Sequence, residues 1–141
     1  MNIPNLYKVG DALYSSGQPE PDDFKQLAAQ GIRHIVNLRP PFEMDWDEGA
    51  YVESLGMHYH NIPVDGSGVN FENAALLANK LQDLGDQPTL VHCASGNRNG
   101  ALAALIAAQE QELDVESAIA EGRRWGLTRY EPLVRQLLDN Q

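Results

Sequence analysis

Residues 89–108 read TLVHCASGNRNGALAALIAA and contain the only cysteine of the chain, Cys93. The stretch opens with a short apolar run, passes through a polar loop around Gly96, and ends in a nearly continuous run of alanine and leucine. Such runs favour a buried strand, a tight loop and a buried helix, in that order. The sequence therefore predicts a strand over 89–92 and a helix over 101–108.

Strands and helices alternate along the rest of the chain. Apolar runs of strand length are followed by segments whose apolar residues recur at helical spacing. With right-handed crossovers, this order predicts an α/β fold with a central, mostly parallel sheet of roughly four or five strands and helices on both faces. A length of 141 residues suits one domain spanning 1–141. The remaining predicted strands are 6–9, 13–16, 32–38 and 57–64, and the remaining helices are 22–30, 50–55, 71–84, 114–124 and 132–139.

Composition limits the possible partners. A formal net charge of −10 disfavours nucleic acid and anionic membranes as ligands. The N-terminus lacks a basic region followed by an apolar core, and nowhere do about 18 apolar residues follow one another. A single cysteine rules out an intramolecular disulfide and suits a reducing compartment. We therefore expect a cytoplasmic protein whose anion chemistry depends on a local positive group, for which Arg98 is the candidate.

The loop after the strand has the features of an anion site built around a thiolate. Backbone N–H groups of the loop and of the first helical turn converge there and stabilise negative charge on Cys93. Gly96 permits the backbone conformation that such a nest requires, and Arg98 adds a two-pronged donor. His92 is expected to support the loop by a hydrogen bond to a backbone carbonyl. The predicted anion-binding residues are Ala94, Ser95, Gly96, Asn97, Arg98 and Asn99.

The alternative is that Cys93 is a packed core residue and Arg98 a solvated arginine of the first helical turn. The combination of thiol, glycine and arginine directly after an apolar strand favours the reactive thiolate.

At this point the chain resembles a known family. HCASGNR is similar to the signature loop of cysteine-dependent phosphatases. The segments YSSGQPEPDDF, IRHIVNLRP and HYHNIPVDG resemble the small bacterial dual-specificity-like phosphatases, including the domain found beside β-lactamase-like hydrolases. The resemblance extends over about residues 6–108.

This resemblance implies roles for three residues. Cys93 would be the nucleophile that forms a cysteinyl-phosphate, Arg98 would bind the phosphoryl oxygens, and Asp65 would be the general acid. Asp65 follows a predicted strand, so its loop is expected at the same sheet edge as the Cys93 loop. No metal or organic cofactor is implied, and the substrate would be a phosphorylated small molecule or a phosphoprotein.

The loop also departs from the phosphatase pattern. Only residues 94–97 separate the cysteine from the arginine, one fewer than in those phosphatases, and this length resembles the loop of rhodanese-like sulfurtransferases, whose cysteine carries a persulfide. Asn99 stands where the family usually has serine or threonine, and its amide can donate a hydrogen bond in their place. Asp65 also fits an ordinary Asp-Gly turn.

Three functions therefore compete. Phosphate monoester hydrolysis is favoured, because the resemblance in IRHIVNLRP and the placement of Asp65 extend beyond the loop. Sulfur transfer is the first alternative, and an anion-binding regulatory module without catalysis is the second.

A few other side chains are candidates for the site. Arg39 follows a predicted strand and would reach the same rim, either as a substrate contact or as the partner of nearby acidic residues. Trp46 would cover the pocket or plug the core. His58 and His60 share one face of a strand at a metal-ligand spacing, but no third ligand is evident, so we expect exposed or hydrogen-bonded histidines instead.

Overall fold

The structure, a computed structural model, describes residues 2–141. Within this range the strands are β1 (Tyr7–Gly10), β2 (Leu13–Ser16), β3 (His34–Asn37), β4 (His58–Asn61) and β5 (Thr89–His92). The α-helices are α1 (Pro21–Ala29), α2 (Glu48–Ser54), α3 (Phe71–Leu84), α4 (Asn97–Glu110), α5 (Val115–Trp125) and α6 (Glu131–Asp139), and a 3-10 turn lies at Pro41–Glu43. None of the helices formed by residues 2–141 is long and apolar enough to cross a membrane.

The strands form one sheet in the order β1-β2-β5-β3-β4. β1 and β2 make an antiparallel hairpin, and every other neighbouring pair is parallel. The central strands β3 and β5 are buried along their whole length, as expected of short β-branched runs covered on both faces. The α/β fold with a mostly parallel sheet is confirmed.

Helices cover both faces of this sheet, as predicted. On one face α1 and α2 bury a cluster that includes Phe24, Leu27 and Val52. On the other face α3 to α6 form the larger cluster, with α4 almost completely buried among them. This central position explains why the sequence of α4 is apolar on nearly all sides.

Two predicted boundaries differ from those observed. β4 ends at Asn61, before the predicted end at 64. The backbone N–H groups of Ile62 and Val64 still donate to the carbonyl oxygens of Asn37 and Leu38. Pro63 between them has no N–H and ends the regular ladder. α4 begins at Asn97, before the predicted start at 101, because Gly96 caps it in the left-handed conformation with φ of 89°.

The end of α4 that carries the loop packs closely on α5. A β-carbon on Gly100 would lie 2.6 Å from the carbonyl oxygen of Gly122, and one on Gly122 would lie 2.7 Å from the carbonyl oxygen of Gly100. Only glycine permits so close a crossing of two backbones. The crossing fixes the first turn of α4 against the turn that follows α5.

Candidate active site

Four parallel strands place their following loops at one edge of the sheet. β2, β3, β4 and β5 all end at this edge, so the residues after Ser16, Asn37, Asn61 and His92 lie next to one another. The Cys93 loop and the Asp65 loop therefore emerge together, as predicted from the strand order.

The sulfur of Cys93 lies beneath the loop. Its side chain has 0% exposure and belongs to the larger hydrophobic cluster, while the backbone N–H of Gly96 donates to Sγ at 3.1 Å. Gly96 has the left-handed conformation that the nest was predicted to need. The thiol is thus both packed in the core and hydrogen bonded to the loop, a combination of the two interpretations that the sequence left open.

Above the loop lies a cavity of about 360 Å³. The loop residues that line it are Ala94, Ser95, Asn97 and Arg98, and the other lining residues are Glu43, Gly66, Arg129 and Tyr130. The backbone N–H groups of Ala94, Ser95 and Asn97 donate to no acceptor among residues 2–141. Unpaired amides at a helix start carry partial positive charge, so this cavity suits an anion.

Arg98 presents one free edge of its guanidinium. Its Nη1 donates to Glu43 Oε2 and to the carbonyl oxygen of Val64, both at 2.9 Å, and its Nη2 donates to Glu43 Oε1 at 2.9 Å. Among residues 2–141 the Nε–H and the second Nη2–H donate to no acceptor. These two N–H groups lie parallel on one edge, the arrangement that grips two oxygens of a phosphate group.

Glu43 binds the end of the Arg98 guanidinium with both of its carboxylate oxygens. Its hydrogen bond with Arg98 is the main cause that lowers the pKa of this carboxyl, and Arg39 adds to the effect. Burial opposes the charge of Arg98, but the hydrogen bond to Glu43 and the nearby Cys93 sulfur raise the pKa of Arg98 above its ordinary value. The guanidinium is therefore charged and held in one orientation.

A buried pair supports the other side of the loop. His92 Nδ1–H donates to the carbonyl oxygen of Cys93 at 3.1 Å, a hydrogen bond to a backbone carbonyl of the kind expected from the sequence. Its Nε2 lies 2.7 Å from Glu48 Oε2. The side chains of His92 and Glu48 are 0% and 1% exposed. This carboxylate fixes the position of the imidazole and, through it, the backbone at Cys93.

Gln18 joins these two supports. Its Nε2 donates to Glu48 Oε1 at 2.7 Å, and its Oε1 accepts from Arg39 Nη1 at 2.8 Å. Arg39 in turn donates from Nη2 to the carbonyl oxygen of Glu43 at 3.0 Å. A continuous series of hydrogen bonds therefore connects the backbone of Cys93 with the guanidinium of Arg98. We call this series the support chain, and its members are His92, Glu48, Gln18, Arg39 and Glu43.

Arg39 is therefore a partner of acidic and amide side chains. It is absent from the lining of the cavity that contains Arg98, and it contacts Glu43 and Gln18. Its role as a direct substrate contact stays a prediction. Trp46 packs on Phe24 and Tyr51 with ring centroids 6.2 and 5.6 Å apart, so it closes the smaller hydrophobic cluster.

Asp65 directly precedes Gly66 of the cavity lining, and its carboxylate bonds within its own turn. Its Oδ1 accepts from the backbone N–H of Ser67 at 2.9 Å and from Ser67 Oγ at 2.8 Å. These bonds are the main causes that lower the pKa of Asp65, and Arg98 adds a smaller effect. The turn geometry expected of an Asp-Gly sequence is thus present, next to Gly66 on the cavity wall.

The side chains of the two asparagines, Asn97 and Asn99, make hydrogen bonds to other parts of the chain. Asn97 Oδ1 accepts from the backbone N–H of Thr128 at 2.9 Å and of Tyr130 at 3.3 Å. Asn99 Nδ2 donates to Ser15 Oγ and to two backbone carbonyls, and the side chain is fully buried. The amide of Asn99 does not contact Sγ, so the predicted donation to the thiolate is absent from this geometry; the side chain instead ties α4 to the sheet.

The histidines of β4 make contacts with another histidine. His60 Nε2 lies 3.1 Å from His34 Nδ1, and His58 stacks on His34 with ring centroids 5.1 Å apart. Burial, followed by the charge of Lys80, lowers the pKa of His60 to about 4. Among residues 2–141 no group of three or more histidine, cysteine, aspartate or glutamate side chains is arranged to hold a metal ion.

Several site residues were not predicted from the sequence. These are Gln18, Glu43, Glu48, Arg129 and Tyr130. Gln18 follows the end of β2 by two residues, within the segment SSGQP. A polar residue at such a place lies at the sheet edge that carries the site, and this was the signal that could have found it. Arg129 and Tyr130 follow α5, and nothing in their local sequence points toward the cavity.

Known proteins resemble this chain in sequence. Residues 5–110 match the model of the phosphatase-like domain of β-lactamase hydrolase-like proteins. A β-lactamase hydrolase-like protein of Agrobacterium fabrum (strain C58 / ATCC 33970) is 31% identical over 96 residues, which are 64% of this chain and 22% of that protein. An inositol diphosphatase of Oryza sativa subsp. japonica is 30% identical over 98 residues, which are 65% of this chain and 47% of that protein. The chain thus spans less than half of the length of each of these relatives.

Solved structures share the fold. The DUF442 protein of Shewanella putrefaciens CN-32 is 27% identical, with a TM-score of 0.75 over 99% of this chain and 91% of that one. TpbA of P. aeruginosa, solved in complex with pTyr, is 20% identical, with a TM-score of 0.73 over 97% of this chain and 91% of that one. The fold is that of the cysteine phosphatases, and the chain belongs to the family of phosphatase-like domains of β-lactamase hydrolase-like proteins.

Proposed function

We propose that this chain hydrolyses phosphate monoesters through a cysteinyl-phosphate on Cys93. The observation that carries the proposal is the pair of Arg98 donors without an acceptor, Nε–H and Nη2–H, at a cavity that Arg98 lines together with Ala94, Ser95 and Asn97 of the Cys93 loop. Membership of a phosphatase-like family supports the same reaction class. In the proposed complex the phosphoryl oxygens accept hydrogen bonds from these donors, which have no acceptor among residues 2–141.

The first step transfers the phosphoryl group to sulfur. The thiolate of Cys93 attacks phosphorus, so an S–P bond forms as the P–O bond to the leaving group breaks. Asp65 gives its proton to the leaving oxygen. In the second step Asp65 accepts a proton from water, the water oxygen attacks phosphorus, and inorganic phosphate leaves with the thiolate restored.

Asp65 has to change its contacts for this role. In the resting geometry its Oδ1 is bonded to Ser67, and this contact favours the deprotonated form. When a substrate dianion enters the cavity, negative charge near the carboxyl favours the protonated form. Gly66, the next residue of the same turn, lines the cavity, so the proposal requires this turn to bring the carboxyl of Asp65 to the leaving oxygen.

The substrate is a phosphorylated small molecule or a phosphoprotein. One relative is named an inositol diphosphatase, and TpbA binds pTyr, so both kinds of substrate occur among proteins similar to this one. A cavity of about 360 Å³ accommodates a phosphoryl group together with a small leaving group.

A second function is kept because of one observation. The loop has four residues between Cys93 and Arg98, the length that resembles the loop of rhodanese-like sulfurtransferases. In that reaction the thiolate takes a sulfur atom from thiosulfate, releasing sulfite, and the resulting persulfide gives the sulfur to cyanide as thiocyanate.

Parallel assays separate these functions. The purified chain is assayed with 4-nitrophenyl phosphate and, separately, with thiosulfate plus cyanide, together with Cys93→Ser and Asp65→Asn. We expect phosphate release that is lost in Cys93→Ser, while Cys93→Ser still binds inorganic phosphate by calorimetry. Thiocyanate without phosphate release would establish sulfur transfer instead. Binding of phosphate with neither product in the wild type would establish the anion-binding module.

A further inference from the structure

Arg129 is a cation at the cavity without a counter-charge. It lines the same cavity as Arg98, is exposed, and forms no ion pair or side-chain hydrogen bond with residues 2–141. Most other arginines of the chain are paired, and Arg98 itself shares Glu43 with Arg39. In a chain of net charge −10, an arginine left unpaired at a site for anions is well placed to bind an anion.

The backbone that carries Arg129 is held in place by Asn97 of the Cys93 loop. Asn97 Oδ1 accepts hydrogen bonds from the residues on either side, Thr128 at 2.9 Å and Tyr130 at 3.3 Å. Because Asn97 is 4% exposed and begins α4, this contact ties the turn at 128–130 to the loop.

A second contact fixes the start of that turn. Gly126 caps α5 with φ of 115° and packs against Gly96, so that a β-carbon there would lie 3.0 Å from the carbonyl oxygen of Gly96. The position of the Arg129 backbone is therefore coupled to the geometry of the Cys93 loop. A cation carried by a fixed backbone beside the anion loop costs little ordering entropy when it binds.

The charges around the cavity leave room for a second anionic group. Two guanidiniums, Arg39 and Arg98, share the carboxylate of Glu43, so the phosphoryl group meets a modest positive charge there. Arg129 adds a full charge to the same cavity, which Tyr130 also lines. A substrate with only one phosphoryl group, held by Arg98, leaves this charge unused.

We propose that Arg129 forms a second anion subsite, which binds a carboxylate or phosphate group carried by the same small substrate whose phosphoryl group is bound by Arg98. Tyr130 forms the wall between the two groups. The proposal rests on the proposed function for its first group, and it assigns the substrate to small phosphate esters that bear a second anionic group.

The test compares three matched substrates. Phenyl phosphate carries one anionic group. Phenyl phosphates with a carboxymethyl or a carboxyethyl group at the meta position carry a second anionic group, a carboxylate, at a shorter or a longer distance from the ring. We expect the wild type to favour at least one carboxylated ester by about tenfold in kcat/KM, since the gain is that of a charge-assisted hydrogen bond at a partly exposed site. The preference should weaken as salt is added, because screening acts on exposed charges.

Variants at Arg129 identify the residue responsible. Arg129→Met keeps the aliphatic stem without the charge and should reduce the preference, measured as the ratio of kcat/KM for the carboxylated ester to kcat/KM for phenyl phosphate, to about onefold. Arg129→Lys should keep part of the preference. Arg33→Met is the matched control, because Arg33 is also exposed and without an ion pair among residues 2–141 but lies beside the amino end of β3. A preference that survives in Arg129→Met, or that Arg33→Met removes equally, would overturn the proposal.

A binding measurement separates this proposal from the proposed function. The dissociation constants of the same esters are measured by calorimetry for Cys93→Ser and for the double variant that also carries Arg129→Met. If the wild type releases no phosphate but Cys93→Ser still binds the carboxylated ester about tenfold more tightly than phenyl phosphate through Arg129, the subsite stands and the proposed reaction fails. Equal binding of all the esters by Cys93→Ser would remove the subsite whatever the catalytic result.

Discussion

The carboxylate of Glu43 meets the guanidinium of Arg98 end-on, with Oε2 2.9 Å from Nη1 and Oε1 2.9 Å from Nη2. This contact occupies the end of the guanidinium and leaves its side edge, Nε–H and Nη2–H, toward the cavity. An arginine at an anion site is useful only if its free donors point at the anion, so the orientation of Arg98 depends on Glu43.

Replacing Glu43 should therefore affect turnover more than folding at neutral pH. Glu43→Gln keeps one acceptor oxygen but loses the bidentate contact, and we expect kcat/KM for 4-nitrophenyl phosphate to fall about tenfold. Asp45→Asn, a neighbouring exposed carboxylate with no ion pair among residues 2–141, is the control for loss of charge. Equal effects of the two variants would show that net charge, and not orientation, is responsible.

The same pair should make stability depend on pH in a defined direction. Hydrogen bonding to Arg98 lowers the pKa of Glu43 from its ordinary value of 4.5 in the folded protein. Its contribution is therefore complete above pH 4.5 and is lost as the pH falls through the lower folded value. Urea unfolding between about pH 6 and pH 3 should show a steeper loss in the wild type than in Glu43→Gln. Parallel curves for the two proteins would contradict this expectation.

The contact between Asp65 and Ser67 should set the alkaline limb of activity. Ser67→Ala removes the hydrogen bond that contributes most to the lowered pKa of Asp65, so this pKa rises and the acid stays protonated to higher pH. The alkaline limb of kcat/KM, measured with phenyl phosphate, should then move to higher pH. Ser54→Ala serves as the control, since Ser54 Oγ bonds only to the carbonyl oxygen of Tyr51 on α2.

Asp65→Asn completes that test. An asparagine cannot deliver a proton, so the alkaline limb should disappear and the loss of rate should be greater for phenyl phosphate than for 4-nitrophenyl phosphate, whose leaving oxygen needs less protonation. An intact limb in Asp65→Asn would assign the limb to another group and remove Asp65 from the reaction.

Removing the carboxylate behind the loop should destabilise the whole chain. Glu48 accepts from Gln18 and pairs with His92, and its side chain is 1% exposed. Glu48→Gln places an amide donor against one of these donors, and we expect the free energy of unfolding to fall by about 3 kcal/mol. Urea denaturation measures the change, and Glu53→Gln, an exposed position of α2, is the control. A change of less than about 0.5 kcal/mol would mean that the pair contributes little net stability.

Gln18→Met tests whether the support chain acts on the active site. Methionine preserves the length and packing of the side chain but joins neither Glu48 nor Arg39. If the chain positions Arg98, KM for 4-nitrophenyl phosphate should rise by about fivefold while the melting temperature changes little. A loss of melting temperature without a change in KM would indicate a structural role alone.

The amino-acid sequence by itself determined the strand, loop and helix around Cys93. These depend on local properties: an apolar run before the loop, a glycine where φ is 89°, and apolar residues on nearly all sides of α4. The strand order also placed Cys93 and Asp65 at one sheet edge, because parallel strands end on the same side.

Only the tertiary structure decided which side chains complete the site. Glu43 and Arg98 are 55 positions apart, and Glu48 and His92 are 44 apart, so no local pattern chooses Glu43 over Asp45 or Asp47 as the partner. The side chains of Asn97 and Asn99 contact Thr128 and Ser15, because α4 packs on α5 and on the sheet. Side-chain direction depends on the close crossing at Gly100 and Gly122, which exists only when both helices are in place.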